Sequence, residues 1–216
     1  MSQEINNYPT FWTWYTDKYK EQAQRFLSRC DELNIPAIAE HLPVEKYAES
    51  LEYVRNSLSH KRFVFKAGLL FLRDRFLVLQ KPLFYLHSDD KILIKPEKSI
   101  FDKKKIGYCV GKRKDGKHIT LSHGIFLDYC QLSKDFLDLL TFKAKIIRGE
   151  IPTEHALIRL TLMDFSGKLF DDKLIPNGSK INFKNKFTFR NKVKPLQGEK
   201  KKYILSDSTD TYIKWN

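Results

Sequence analysis

The sequence predicts a single α/β domain in which a mostly parallel central sheet is flanked by helices. The chain opens with a strand at Phe11 to Thr16, a helical stretch and a second strand at Ala37 to Leu42, an order that favours a parallel pair joined by a right-handed crossover. The apolar run from Leu83 to Leu86 suits a central strand that is buried on both faces. The length of 216 residues fits one domain, since domains commonly hold about 100 to 200 residues. We therefore expect one domain over residues 1–216, with a basic C-terminal region from about 177 to 216.

The remaining elements follow from the spacing of the apolar residues. Ala23, Phe26, Cys30 and Leu33 recur at helical spacing after the first strand, and Pro36 ends that helix. The apolar spacing further along the chain predicts a helical pattern over Val44 to Leu58 and a helix over about Lys61 to Asp74. A hairpin is predicted from strands at Ile106 to Val110 and Ile119 to Leu127. Two more helices are predicted around Leu132 to Leu140 and around Ala156 to Met163, and Thr153 is the predicted cap of the last one.

The composition favours a cytosolic protein without a membrane partner. The first twenty residues lack the basic start and apolar stretch of a signal peptide. The longest apolar runs fall far short of the roughly 18 residues that span a bilayer. Cys30, Cys109 and Cys130 are odd in number and lack the close paired spacing of a zinc site, so we expect three reduced thiols.

The charge of the chain points to a polyanionic partner. Lys and Arg number 39 against 26 Asp and Glu, a formal net charge of +13. Phe187 and Phe189 alternate with basic residues, a pattern typical of surfaces that follow phosphates and stack bases, although a strand with aromatic residues inward and lysines outward gives the same pattern. A solubilising surface is the other interpretation. The candidate nucleic-acid contacts are Lys103, Lys104, Lys105, Lys112, Arg113, Lys184, Lys186, Arg190 and Lys192.

A polar cluster follows the apolar strand directly. It consists of His87, Ser88, Asp89 and Asp90. In open α/β sheets, ligands bind at the carboxyl ends of the strands. The cluster is therefore a candidate ligand or metal site, while Asp and Ser after a strand also commonly cap a turn.

Four parts of the sequence together resemble the GT-A fold, nucleotide-diphospho-sugar transferase-like glycosyltransferases, a Rossmann-like α/β class. The first is WYTDKYKEQAQRFLSRCDELNIP, and the second is KRFVFKAGLLFL with KPLFYLHSDDKILIKP. The third is IFDKKKIGYCV with LSHGIFLDYCQLSKDFLDLL, and the fourth is TEHALIRLTL. The resemblance covers most of the chain from about Phe11 to Leu162.

The resemblance implies a divalent cation, Mg²⁺ or Mn²⁺, that neutralises a departing nucleotide diphosphate. The implied metal ligands are His87, Asp89 and Asp90, with His87 standing where the family has its first carboxylate. Imidazole suits Mn²⁺ better than Mg²⁺. The implied catalytic residues are Asp89 and Glu154, the latter deprotonating the acceptor hydroxyl or orienting the donor.

The resemblance also implies contacts to the nucleotide-sugar donor. Those residues are Thr16 at the base, Lys61 or Arg62 at the diphosphate, Ser88 in the polar cluster, and Gly124 beside His123 at the sugar. His155 is a possible further contact. Each of these residues also has a purely structural interpretation. Thr16 could cap a helix, Glu154 could complement the helix dipole, and Gly124 could mark a bulge. Lys61 and Arg62 could be solvated charges.

The leading hypothesis is a hexosyl- or pentosyltransferase that uses a nucleotide-sugar donor. The charge favours DNA as the acceptor, as in bacteriophage enzymes that glycosylate modified cytosine of the hydroxymethylcytosine type, which would act in the host cytoplasm. A glycan or protein acceptor remains an alternative. A second hypothesis is a catalytically inactive nucleic-acid-binding protein on the same fold, motivated by His87. A weaker third is a nuclease that uses Asp89, Asp90 and Lys91.

Overall fold

The computed structural model describes residues 8–102, 105–112, 119–148, 154–165, 193–195 and 204–206. These residues form strands and helices that alternate through the first half of the chain. In chain order the elements are β1 (Thr10–Tyr15), α1 (Lys20–Glu32), β2 (Ala37–His41), α2 (Glu52–Arg55), α3 (His60–Leu79), β3 (Leu83–Tyr85), β4 (Asp90–Ile92), β5 (Ile106–Lys112), β6 (Ile119–Leu127), α4 (Gln131–Ile146), α5 (Glu154–Phe165), β7 (Val193–Pro195) and β8 (Ile204–Ser206).

The main sheet confirms the predicted α/β class. Its six strands lie in the order β2-β1-β3-β6-β5-β7, and a separate pair joins β4 to β8. Strand β1 pairs in parallel with β2 and with β3, so the predicted β-α-β opening and its parallel pair are confirmed. Strand β6 runs antiparallel to β3 and to β5, which confirms the predicted hairpin, and β7 returns to a parallel pairing with β5.

The two faces of the sheet bury separate groups of side chains because neighbouring residues of a strand point in opposite directions. Trp12 and Tyr85 face the larger core, which α3, α4 and α5 cover. Phe11 and Phe84 face the smaller core, where Phe26 and Cys30 of α1 pack. Strand β3 is buried on both faces, as its apolar sequence predicts.

The segment from Val44 to Leu58 differs from the predicted helical pattern. It forms 3-10 turns at Val44–Tyr47 and Glu49–Leu51, followed by the single α turn of α2. The apolar spacing of three or four residues fits 3-10 turns as well as an α-helix, so the same pattern buries Tyr47, Leu51 and Val54 in shorter pieces.

Helix α3 packs closely against the sheet and against α4. It extends beyond the predicted end at Asp74 to Leu79, and the next residue, Gln80, caps it with a left-handed φ of 52°. A Cβ added to Gly68 would lie 2.5 Å from ring atoms of Trp14, so the indole lies directly on the helix backbone. Lys66 is buried, and its Nζ donates to the carbonyls of Ala144 at 2.9 Å and Ile147 at 2.5 Å. Lys66 thereby satisfies carbonyls at the C-terminal end of α4 that have no partner within the helix.

Two further predictions concern the membrane and the thiols. No helix in the described part of the chain is both long and apolar enough to cross a membrane. Cys30 is a buried free thiol and Cys130 a half-buried one, whereas the side chain of Cys109 lies outside the described residues, as does Thr153.

Candidate functional site

The candidate site lies where the parallel strands end. Leu86 extends β3 by donating its N–H to the carbonyl of Trp12 at 3.0 Å, and His87 is the next residue. Because β6 is antiparallel to β3 and Ile125 pairs with Tyr85, Gly124 lies one residue further toward the same edge. Gly124 has a φ of 121°, a conformation that favours glycine. Thr16 follows β1 at this edge, so the structure brings Thr16, His87 and Gly124 to one end of the sheet.

The four polar residues after β3 form a closed turn. The N–H of Asp90 donates to the carbonyl of His87 at 3.1 Å, and the N–H of His87 donates to Oδ2 of Asp90 at 2.9 Å. Asp90 is 4% exposed. Burial raises the pKa of its carboxyl to about 7, although His87 and its N–H act in the opposite direction. Asp90 therefore holds the turn, while Ser88 and Asp89 lie at its half-exposed outer side.

The imidazole of His87 lies between two carboxylates. Its Nε2 is 3.2 Å from Oε2 of Glu154, and its Nδ1 is 4.0 Å from Oδ1 of Asp89. The side chains of His87 and Asp89 are 17% and 24% exposed. Burial lowers the pKa of His87, but the carboxylates of Glu154, Asp90 and Asp89 outweigh burial and raise the pKa to about 9. The neighbouring carboxylates therefore favour the protonated imidazole.

Glu154, the first residue of α5, is anchored under the turn. It is 2% exposed, and its Oε1 accepts a hydrogen bond from the hydroxyl of Tyr85. Burial and the Glu154 carboxylate raise the pKa of Tyr85 well above its usual range, which keeps the phenol protonated and donating. Both oxygens of Glu154 thus face groups of β3 or of the turn that follows it. Tyr85 was not among the residues predicted from the sequence. Its position two residues before His87, on the same side of the strand, is the signal that was available.

The predicted donor contacts on α3 lie near this edge of the sheet. Trp14, close to the end of β1, contacts Phe65 and Gly68, whereas Trp12, earlier in the strand, contacts Phe71. The first turn of α3 is therefore at the carboxyl edge. There Arg62 is half-buried, and Lys61 is exposed with its ammonium 5.6 Å from the centre of the Phe65 ring.

Thr16 directly follows β1, which is the position that a contact to the nucleotide base would require. Its carbonyl accepts the N–H of Tyr19 at 2.8 Å, and its hydroxyl makes no capping hydrogen bond to the helical turn that follows. The hydroxyl is therefore not used as a helix cap, which was the structural alternative for this residue.

The predicted nucleic-acid contacts are only partly described. Lys105 pairs with Asp128 at 2.7 Å beside the start of β5, and Lys112 is the last residue of that strand. At about 3.3 Å per residue, the two positions lie roughly 20 Å apart, at opposite ends of the hairpin. The other candidates lie outside the described residues, namely Lys103, Lys104, Arg113, Lys184, Lys186, Arg190 and Lys192. For Lys112, His123 and His155 only the backbone is described.

The structure shows no metal site among the described residues, so the metal ligands stay a prediction. Among the described side chains, no three of His, Cys, Asp or Glu gather closely enough to hold an ion by themselves. His87 and Asp89 present one nitrogen and one oxygen toward each other, and Glu154 lies behind the imidazole. The pair supplies at most two of the ligands that such an ion needs.

Comparison with known proteins gives similarities in structure only. No protein-family model matches the chain, and no curated protein matches its sequence. The structure is similar to that of the apo glycosyltransferase GlyE of Streptococcus pneumoniae TIGR4, with a TM-score of 0.42 and 12% identity, covering 72% of this chain and 43% of that one. It is also similar to mouse xyloside xylosyltransferase 1 in its apo form, with a TM-score of 0.39 and 9% identity, covering 72% of this chain and 82% of that one. Both solved structures are of glycosyltransferases, and this chain spans less than half the length of the first.

Proposed function

We propose that the chain is a glycosyltransferase that moves a sugar from a nucleotide-diphosphate donor to a hydroxyl group. The observation that carries the proposal is the His87–Asp89 pair at the end of a buried parallel strand, with the carboxylate of Glu154 behind it. Ligands of open α/β sheets bind at that edge. A departing diphosphate gathers negative charge, so a site for this reaction needs positive charge or hydrogen-bond donors at the same place.

His87 and Asp89 would hold a divalent cation, through Nδ1 of the imidazole and a carboxylate oxygen. A bound Mn²⁺ or Mg²⁺ supplies positive charge to the diphosphate as it leaves. Binding requires that Nδ1 loses its proton, since the pKa of His87 is about 9 in the ion-free protein. Asp90 supports this pair indirectly, because its carboxylate closes the turn that carries them.

The remaining residues of the edge would bind and orient the donor. Thr16 would contact the nucleotide, and Lys61 or Arg62 would contact the diphosphate. Ser88 lies in the polar turn, and the backbone at Gly124 would allow close approach of the sugar. Glu154 is buried, its Oε1 accepts the Tyr85 hydroxyl, and its Oε2 lies 3.2 Å from Nε2 of His87. That arrangement favours an orienting role through His87 over direct removal of the acceptor proton.

The acceptor we propose is a modified base of the hydroxymethylcytosine type in DNA, as in bacteriophage DNA modification. The support is the net charge of +13. Whether the sugar is a hexose or a pentose follows from the donor panel below. A glycan or protein acceptor is the outcome if DNA does not accept sugar.

The test is a panel of nucleotide sugars, each incubated with the full chain with and without Mn²⁺. Binding is measured as thermal stabilisation, and turnover as released nucleoside diphosphate. A donor at about 100 times its Kd stabilises the folded state by about 2.7 kcal/mol. We expect one donor to stabilise the chain and to be hydrolysed slowly in Mn²⁺. Stabilisation without turnover, with or without acceptor, would instead support an inactive protein on this fold, and no stabilisation by any donor would reject the proposal.

A further inference from the structure

We infer that a surface cavity between α2 and the end of α4 binds a base of single-stranded DNA, with Tyr53 as the stacking platform. The cavity has a volume of about 430 Å³ and is lined by Glu52, Tyr53, Asn56, Ser57 and Arg148. That volume falls within the range of about 300 to 1,000 Å³ that is usual for small-ligand sites. The inference rests on the DNA partner of the proposed function and does not require sugar transfer.

Tyr53 is a large aromatic residue that lies mostly in solvent. It is 60% exposed, whereas its neighbour Val54 is fully buried in the core. The guanidinium of Arg148 covers one face of the Tyr53 ring, with its Cζ 3.7 Å from the ring centre. Aromatic rings and guanidinium planes are the surfaces on which proteins stack unpaired bases. A base that enters the cavity can therefore extend this stack by one layer.

The guanidinium of Arg148 is held in place by the protein itself. Its Nε donates to the carbonyl of Tyr53 at 3.2 Å, so Arg148 contacts both the backbone and the ring of the same residue. Because Tyr53 belongs to α2 and Arg148 follows α4, this contact joins the two walls of the cavity. A side chain that is already ordered loses less conformational entropy when a ligand binds, which favours stacking at this place.

Two polar side chains line the cavity beside the ring. Glu52 offers carboxylate oxygens that accept hydrogen bonds, and Asn56 offers an amide that both donates and accepts. Proteins that hold an unpaired base combine stacking with hydrogen bonds to its Watson–Crick edge. Every DNA base carries a donor and an acceptor on that edge. The pair therefore fits any base, and we expect little sequence preference.

The cavity lies near the carboxyl edge of the sheet and is bordered by cations. The guanidinium of Arg55, in α2, is 5.7 Å from the ring centre of Phe63 in the first turn of α3. In the next turn of α3, Lys66 donates to carbonyls at the end of α4, so both walls of the cavity adjoin these two turns. Arg55, Lys145 and Arg148 are exposed and supply positive charge for the phosphates that flank a bound base. An enzyme that modifies a base works on a single strand or takes the base out of the duplex, so this position suits the proposed acceptor.

The experiment measures the affinity of the full chain for a short, fluorescently labelled single-stranded DNA of mixed sequence, at several salt concentrations and without any nucleotide sugar. Loss of one stack between a base and an aromatic ring lowers affinity by about 5 to 150-fold. We expect that loss for Tyr53→Ala and near wild-type affinity for Tyr53→Phe, which keeps the ring. The slope of log affinity against log salt should be the same in both variants, because stacking releases no counterions.

Two further variants separate stacking from charge and from general exposure of aromatic residues. Arg148→Lys keeps the positive charge but loses the planar guanidinium, so it should weaken binding several-fold. Phe142→Ala is the matched control, since Phe142 is 56% exposed on α4 and lies outside the lining of this cavity. It should leave the affinity unchanged.

A second measurement locates the base without any variant. Single-stranded DNA that carries 5-iodouracil crosslinks to an aromatic side chain stacked on that base when it is irradiated, and mass spectrometry of the peptides identifies the residue. We expect the crosslink at Tyr53. Crosslinks only at other residues, equal affinity of the wild-type and Tyr53→Ala proteins, or no binding of single-stranded DNA at low salt would each overturn the inference.

Competition with a free nucleoside diphosphate distinguishes DNA from a mononucleotide as the source of the base. If the diphosphate displaces the DNA and its own binding depends on Tyr53, the cavity belongs to a mononucleotide and the inference is overturned. Binding of DNA that depends on Tyr53, without turnover of any nucleotide sugar, would support the inference and count against the glycosyltransferase proposal. Turnover with DNA binding that ignores Tyr53 would do the reverse.

Discussion

Asp89 and Asp90 are adjacent acids with different surroundings. The Asp90 carboxylate is buried and accepts the N–H of His87, while the Asp89 carboxylate is partly exposed and faces His87 Nδ1. A sequence shows two equal carboxylates at this point. The structure separates them, because the turn directs one side chain inward and the other toward the edge of the sheet.

Replacing Asp89 by alanine should abolish transfer and leave the protein folded. The partly exposed carboxylate contributes little to packing, whereas its loss removes a proposed ligand of the cation. We expect turnover to fall by about 10²-fold or more, the usual scale for a lost electrostatic contact in a transition state. Donor turnover and the melting temperature of the variant test this together. Wild-type turnover by a folded Asp89→Ala protein would remove Asp89 from the site.

Replacing Asp90 by alanine should instead destabilise the protein. The change leaves the N–H of His87 without its carboxylate partner in the turn. An unsatisfied buried polar group costs about 1 to 3 kcal/mol, so the free energy of unfolding should fall by about that amount. Chemical denaturation of Asp90→Ala beside Asp89→Ala measures the difference. Equal stability of the two variants would contradict the structural role of Asp90.

Part of the site could be predicted from the sequence at the level of single residues. His87 and Asp89 follow an apolar strand directly, so their position at its carboxyl end could be predicted from local pattern alone. Tyr85 lies two residues before His87, but this signal is weak, because a tyrosine in an apolar strand is usually a core residue. The bond from Tyr85 to Glu154 joins residues 69 positions apart, and no local pattern specifies that pairing.

At the scale of elements, the close contact between α3 and β1 depends on Gly68, which has no side chain. Gly68→Ala would place a methyl group 2.5 Å from the Trp14 indole. Alanine gains about 1 kcal/mol in helix propensity, while overpacking of a core typically costs about 1 to 3 kcal/mol. Because three ring atoms would have to move, we expect a net loss of about 1 kcal/mol or more in denaturation experiments. The loss should shrink in a Trp14→Phe background, and an unchanged loss there would contradict the contact as its cause.

Lys66, which joins α3 to α4, should make the free energy of unfolding depend on pH in the alkaline range. Burial lowers the pKa of Lys66 from 10.5 to about 8. Between those values the unfolded chain binds more protons than the folded chain, so this group makes stability rise as the pH rises through the window. Below about pH 8 both states are protonated, and above 10.5 both are neutral.

Lys66→Met tests this dependence. Other groups also titrate in the window, so the informative quantity is the wild-type free energy of unfolding minus that of the variant. We expect this difference to increase by on the order of 1 to 3 kcal/mol between pH 8 and 10.5. A difference that stays flat with pH would show that the ammonium is not destabilised by burial.

At the scale of the whole molecule, the predicted architecture was confirmed where the pattern is repeated and local. The parallel opening, the buried strand and the hairpin each have a period or a composition that specifies them. The helical pattern predicted for Val44 to Leu58 was wrong in detail, because these residues form mostly 3-10 turns. Apolar residues three or four apart fit α and 3-10 turns equally. The pairing of β4 with β8 was not predicted, because β8 lies more than a hundred residues after β4 and its partner is set by the assembled core.

The charge of the whole chain predicts salt-dependent binding to duplex DNA. Each neutralised phosphate contributes a slope of about −0.9 in log affinity against log salt, so five contacts would weaken binding roughly 500-fold between 50 and 200 mM salt. Reversal of Lys184, Lys186 and Lys192 to glutamate should reduce DNA affinity and transfer to DNA while leaving donor binding nearly unchanged. Lys20→Glu, an exposed lysine on α1, is the control. Fluorescence anisotropy at several salt concentrations provides the measurement, and binding that is absent at 50 mM salt or insensitive to salt would reject the DNA acceptor.

The position of Glu154 at the start of α5 has a consequence for synthesis of the protein. Translation proceeds at about 5 to 20 residues per second, so β3 leaves the ribosome several seconds before α5 does. During that interval Tyr85 and His87 have no carboxylate from Glu154, although the first strands and α3 are already available to pack. The nascent chain can therefore assemble β1, β2, β3, β5 and β6 before Glu154 reaches the turn, and competence for the proposed transfer would arise only when α5 docks.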